Sequence, residues 1–156
     1  MKRWIIYIVL FVGVAIFGTI PFRGTDIAKL APVEVVWLSR NGGQVHLKTD
    51  TGDMGEGKSI QAALADMKAA ASGSVFLETA DYLIVEVGRE ALLEQVYDVL
   101  RPSCMVCMAE EMPDMKAVAE YLSAHEPELS LRQYRVEKGK LPQLTEKEGR
   151  FMWNAE

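Results

Sequence analysis

Trp4 to Phe22 is an unbroken uncharged run of nineteen residues, preceded by Lys2 and Arg3. At about 1.5 Å per residue a helix of that length reaches roughly 28 Å, one hydrocarbon core. The run is bulky and apolar on every face, which a helix packed in a soluble core is not. It predicts a transmembrane signal anchor over residues 1–23. Its exit, Gly18-Thr19-Ile20-Pro21-Phe22, lacks the small-x-small pattern of a cleaved signal peptide, and cleavage near Phe22 is the competing reading. Lys2 and Arg3 keep the N-terminus cytoplasmic, so the remainder is expected outside the cytoplasm, with the cell membrane as its location. Residues 24–32 read as a linker and residues 33–156 as one extracytoplasmic domain.

Beyond the linker the rhythm shortens. Val33 to Leu38 is β-branched and aromatic and predicts a strand. Asn41-Gly42 predicts a tight hairpin turn, and Gln44 to Lys48 alternates polar and apolar as a half-buried return strand does. Thr51 to Gly57 reads as a flexible acidic loop. Ser59 caps a helix carrying Ile60, Leu64, Met67 and Ala71, which Gly73 ends. Ser74 to Leu77 reads as a short strand or turn, and Tyr82 to Gly88 as a central strand. Glu90 opens a helix with Leu92, Leu93, Val96 and Leu100 on one side, which Pro102 stops. Cys104 to Met108 is a buried strand. Pro113 and Asp114 start a helix with Met115, Val118, Ala119 and Leu122, and Leu129 to Tyr134 predicts a short one. Leu141, Leu144 and Phe151 to Trp153 suggest a final extended segment.

The expected fold class is therefore α/β, in the mixed α+β sense. It comprises a mixed sheet with an antiparallel N-terminal hairpin, a right-handed βαβ crossover over Tyr82 to Met108, and helices packed on the sheet.

Charge narrows the partners. The formal net charge is −5, and the acidic groups lie almost wholly beyond the apolar run. Nucleic acid, which needs clustered Lys and Arg, is excluded as a partner. The same acidity disfavours a domain lying flat on anionic lipid.

The Cys104-x-x-Cys107 pair is the most visible candidate for chemistry, but it falls inside an apolar strand. Residues i and i+3 of a strand point to opposite faces about 10 Å apart. A disulfide spans at most about 7 Å between Cα atoms. Two buried unpaired thiols are expected. The pair would need two further ligands to hold zinc, and His46 and His125 supply no such spacing. Asp50-Thr51-Gly52 matches the aspartic-protease triplet, but Lys48, Thr49 and Asp53 surround it where apolar residues belong. Asp50, Asp53 and Glu56 do not follow the calcium-loop spacing and read as a solvated turn, with a weak calcium site over residues 50–57 left open. His46 should face solvent or a sheet neighbour, and His125 sits at a helix end. Trp37 and Tyr82 read as core aromatics, and Trp153 as a packing or docking residue. No phosphate loop, dinucleotide fingerprint or nucleophile elbow occurs. No catalytic, cofactor-binding or metal residue is assigned.

The order of Asp26 to Val33, the hairpin, the Ser59 to Leu64 helix start, Tyr82 to Val85, the Leu-rich segment, Leu100-Arg101-Pro102, an apolar strand and the Met115 to Leu122 helix resembles one family. It is similar to the N-terminal domain of the spore-germination C-subunit (Ger(x)C) lipoproteins, over roughly residues 25 to 125. That family is anchored by lipid on a Cys at the end of its signal. Here the first Cys is Cys104, so the apolar helix would replace the lipid in a truncated relative. The resemblance implies a non-enzymatic domain working beside membrane partners, and no catalytic residues come with it. The expected function is a membrane-anchored extracytoplasmic interaction or sensing module with a protein partner at the membrane. The competing readings are an exported thiol-redox or hydrolytic enzyme, and a small-ligand-binding domain using the loop at Thr51 to Gly57.

Overall fold

The computed structural model describes residues 32–154. The anchor at 1–23 and all but the last residue of the linker lie outside the described residues. Among the described residues no helix is long and apolar enough to cross a membrane.

Seven strands form one mixed sheet: β1 (Val35–Asn41), β2 (Gln44–Thr49), β3 (Met54–Gly57), β4 (Tyr82–Glu86), β5 (Met105–Ala109), β6 (Gln143–Lys147) and β7 (Arg150–Trp153). Their spatial order is β3-β2-β1-β4-β5-β6-β7. The inner strands β1, β4, β5 and β6 are mutually parallel, and an antiparallel hairpin partner extends the sheet on each side. Four helices complete it: α1 (Ile60–Ala70), α2 (Leu93–Val96), α3 (Met115–Ala124) and α4 (Leu131–Glu137).

Side-chain alternation along the strands builds two cores. Val36, Leu38, Leu83, Val85 and Val106 point to one face, where Ile60, Met67, Leu93, Val96 and Leu131 of α1, α2 and α4 cover them. Val35, Trp37, Ile84 and Cys107 point to the other, covered by Met115, Val118 and Leu122 of α3. Burial of each large side chain contributes roughly 1.5–3 kcal/mol, so both layers are needed. Apolar runs in β1, β4 and β5 reflect cover on both their faces, whereas β6 is mostly polar.

Local signals place the helices. The Ser59 hydroxyl accepts from the Ala62 N–H at 3.2 Å, and Asp114 accepts from the N–H groups of Lys116 and Ala117 at 3.0 Å. Ser130 and Gln133 form a reciprocal capping box at α4.

The structure corrects the sequence reading at four places. The hairpin turn is Gly42-Gly43, with φ of 57° and 84°, and Asn41 ends β1 opposite Gln44. A Gly-Gly pair takes both positive-φ positions without the Cβ penalty that Asn would carry. The expected acidic loop holds edge strand β3, whose Gly55 and Gly57 lie against α1. A Cβ on Gly55 would stand 2.7 Å from the Met67 Cβ, so glycine here serves close approach rather than flexibility. The helix at Glu90 is a 3₁₀ turn followed by the single turn α2. The final extended segment is a complete hairpin, β6 and β7, turned at Glu148-Gly149 with φ of 52° and 72°.

Candidate functional site

The parallel strands β1, β4, β5 and β6 all end on the same side of the sheet, and open α/β sheets hold ligands outside those carboxyl ends. Two connected depressions lie there, on the face covered by α3. One, of about 430 Å³, lies between the β1–β3 sheet face and the segment following β5. The other, of about 390 Å³, lies between that segment and the β6–β7 hairpin. They share Glu110, Glu111 and Met112, and together make up a crevice that this segment divides.

Register assembles the floor of the first depression. Trp37 pairs with Lys48 and Lys48 with Met54; Ser39 pairs with His46 and His46 with Glu56. These two cross-strand rows share the Trp37 face. α3 packs against β1, and His46 and Lys48 of β2 are only half-buried. Six carboxylates line the crevice: Glu56, Glu86, Glu110, Glu111, Glu146 and Glu148. Among the lining residues His46 and Lys48 stand against them, and Arg89 pairs with Glu86 from outside the lining, so carboxylates remain in excess and the local field attracts cations. Three carboxylates have partners. His46 Nδ1 lies 3.1 Å from Glu56, the Arg40 N–H and Arg89 Nε reach Glu86 at 3.3 and 3.5 Å, and Gln143 Nε2 reaches Glu110 at 3.3 Å. Glu111, Glu146 and Glu148 make no ion pair with the described residues. Met54 and Met112, 60% and 48% exposed, stand on the rim as flexible apolar contact points.

The residues singled out by sequence fall elsewhere. Cys104 and Cys107 are fully buried and free, and they sit in opposite cores. Burial pushes the Cys104 thiol up to about 12, opposed weakly by Arg101, and pushes Cys107 higher still. Thiols held neutral in this way are poor nucleophiles. Asp50 Oδ1 accepts from the N–H groups of Glu34 and Val35 at 3.1 and 3.2 Å, tying down the start of β1. Asp53 accepts from Thr51 at 2.8 Å inside a turn built on the buried Thr49. Asp50, Asp53 and Glu56 therefore serve separate partners, and among the described residues no group of three or more His, Cys, Asp or Glu could hold a metal ion. His125 stacks on Tyr121 at 4.5 Å at the C-terminal end of α3, far along the chain from His46. Trp37 and Tyr82 are core residues at 4% and 7% exposure, and Trp153 packs half-buried against Tyr121 at 6.2 Å.

Glu86, Glu110, Glu111, Glu146, Glu148 and Met112 carry no motif and were not singled out by the sequence. One signal could have found three of them: Glu86 and Glu110-Glu111 stand immediately at the ends of the two most apolar inner strands. Comparison of the chain with models of known families, with curated proteins and with solved structures finds no match.

Proposed function

We propose that the chain is a membrane-anchored, non-enzymatic extracytoplasmic interaction module, and that its crevice receives a positively charged segment of a partner protein in the same membrane. The observation carrying this reading is the crevice itself: six glutamates and two exposed methionines around an unfilled concavity at the strand ends. Carboxylates select and steer a cationic partner, and methionines adapt to its apolar parts. The uncharged run Trp4 to Phe22 supports the anchor, and Lys2 and Arg3 support the outward orientation. The sequestered thiols support an interaction role over thiol-redox chemistry. The pattern shared with the Ger(x)C domain supports a partner at the membrane.

The test is photocrosslinking in native membranes. A photoreactive residue replacing Met112 should form an adduct with a membrane protein, and Glu110→Lys with Glu111→Lys should abolish it. The same probe at Val136, 79% exposed on α4, should give no such adduct. Equal labelling from both positions, or none from Met112, sinks the proposal.

A further inference from the structure

A third depression lies on the opposite face of the sheet from the crevice. Its volume is about 260 Å³, and Tyr97, Leu100, Pro102, Arg132 and Arg135 line it. Leu100 and Pro102 belong to the connection from α2 to β5, and the arginines are one turn apart on α4. Two backbone hydrogen bonds join these walls: Leu131 N–H to the Cys104 carbonyl at 2.8 Å and Arg132 N–H to the Pro102 carbonyl at 3.0 Å. Leu131 is fully buried in the core, which fixes the angle at which α4 presents both arginines.

One buried hydroxyl and two exposed guanidinium groups here make no ion pair or hydrogen bond with the described residues. The Tyr97 hydroxyl is shut off from solvent and has no hydrogen-bond partner. A buried polar group in that state is unfavourable until an acceptor arrives. Neither Arg132 nor Arg135 forms an ion pair with the described residues. The Arg135 guanidinium lies over the Tyr97 ring, 4.8 Å from its centroid. The nearby Glu94 carboxylate is engaged by Lys138. Burial, the largest effect on Tyr97, raises its phenol above the ordinary value, with Glu94 acting in the same direction and Lys138 and Arg135 against it.

We propose that this depression binds a small organic carboxylate: the guanidinium groups of Arg132 and Arg135 take the carboxylate, the Tyr97 hydroxyl, covered in the free protein, is uncovered as the ligand enters and donates to it, and the ligand's apolar body rests on Leu100 and Pro102. The planar guanidinium fork matches a planar carboxylate in two parallel hydrogen bonds. A bare inorganic anion would leave the apolar floor unused. The volume falls below that of ordinary drug-sized pockets and limits the ligand to a few heavy atoms beyond the carboxylate.

The experiment titrates the full chain, held in uncharged detergent, with benzoate and separately with inorganic phosphate, by calorimetry and ligand-observed NMR. Benzoate should bind at millimolar concentration or tighter. Tyr97→Phe should weaken it about tenfold, as expected for losing one hydrogen bond to a charged group, while the unliganded protein melts no lower than wild type. Arg132→Gln should weaken it by a similar factor, while Glu110→Gln in the crevice should leave it unchanged. Failure of benzoate to bind, binding of phosphate in its place, or benzoate affinity unmoved in Tyr97→Phe would each overturn the proposal. A lower melting temperature in Tyr97→Phe, with benzoate binding retained, assigns Tyr97 a structural role and overturns it as well.

Discussion

Asp114 shows how one side chain sets the start of an element. Its carboxylate accepts from the N–H groups of Ala117 and Lys116, and these bonds hold it below the ordinary carboxylate range. A depressed folded-state value means the stabilisation is present above the unfolded value, about pH 4, and is lost as pH falls through the lowered folded value. Asp114→Asn keeps a competent cap without the titration. Its α3 helix should therefore lose less of its stability on acidification, read as a smaller acid-induced drop in denaturation midpoint than wild type shows. This residue was legible in the sequence, as were Ser59 and Pro102, because a cap or a stop is a matter of nearest neighbours. The role of Asp50 was not legible, because its partners Glu34 and Val35 lie fifteen or more residues away and only the folded sheet brings them to it.

At the scale of elements, edge strand β3 was the least visible. Met54-Gly55-Glu56-Gly57 has the composition of a loop, and its glycines argue against a strand when taken alone. They are required because α1 lies directly over them. Any Cβ at Gly55 would meet the Ala63 carbonyl and the Met67 backbone, and one at Gly57 would lie 2.5 Å from the Ala63 N. Gly55→Ala should destabilise the domain by roughly 1–3 kcal/mol, the range for overpacking, and chemical denaturation measures it. Gly52→Ala is not an equivalent control, since its φ of 94° carries strain of its own. Gly139, without positive φ and with open space around it, is the suitable one. Strands β1, β4 and β5 and helix α3 were legible because long apolar runs and a clear 3.6-residue rhythm outweigh local exceptions. The β6–β7 hairpin was not, because Glu148-Gly149 is a weaker turn signal than Asn-Gly and the flanking residues are half-exposed.

For the whole molecule, the mixed α/β class followed from the order of elements, whereas the crevice could not. Its glutamates come from β3, β4, the segment after β5 and the β6–β7 hairpin, and only the sheet order makes them neighbours. The proposed anchor gives a direct expectation at this scale: the intact chain should stay in the membrane pellet through an alkaline carbonate wash, and a version starting at Pro32 should not. Recovery of the intact chain in the wash would remove the membrane from the proposal. The unequal helical cover of the sheet has a consequence for motion. Residues of three helices line the core that holds Cys104, whereas α3 and the β6–β7 hairpin line the core that holds Cys107. Each sulfur is therefore bared only when its own layer opens. Each thiol thus serves as a clock for its own layer, and slow alkylation under native conditions should modify the less deeply buried Cys104 first, with site-resolved mass spectrometry reading the order.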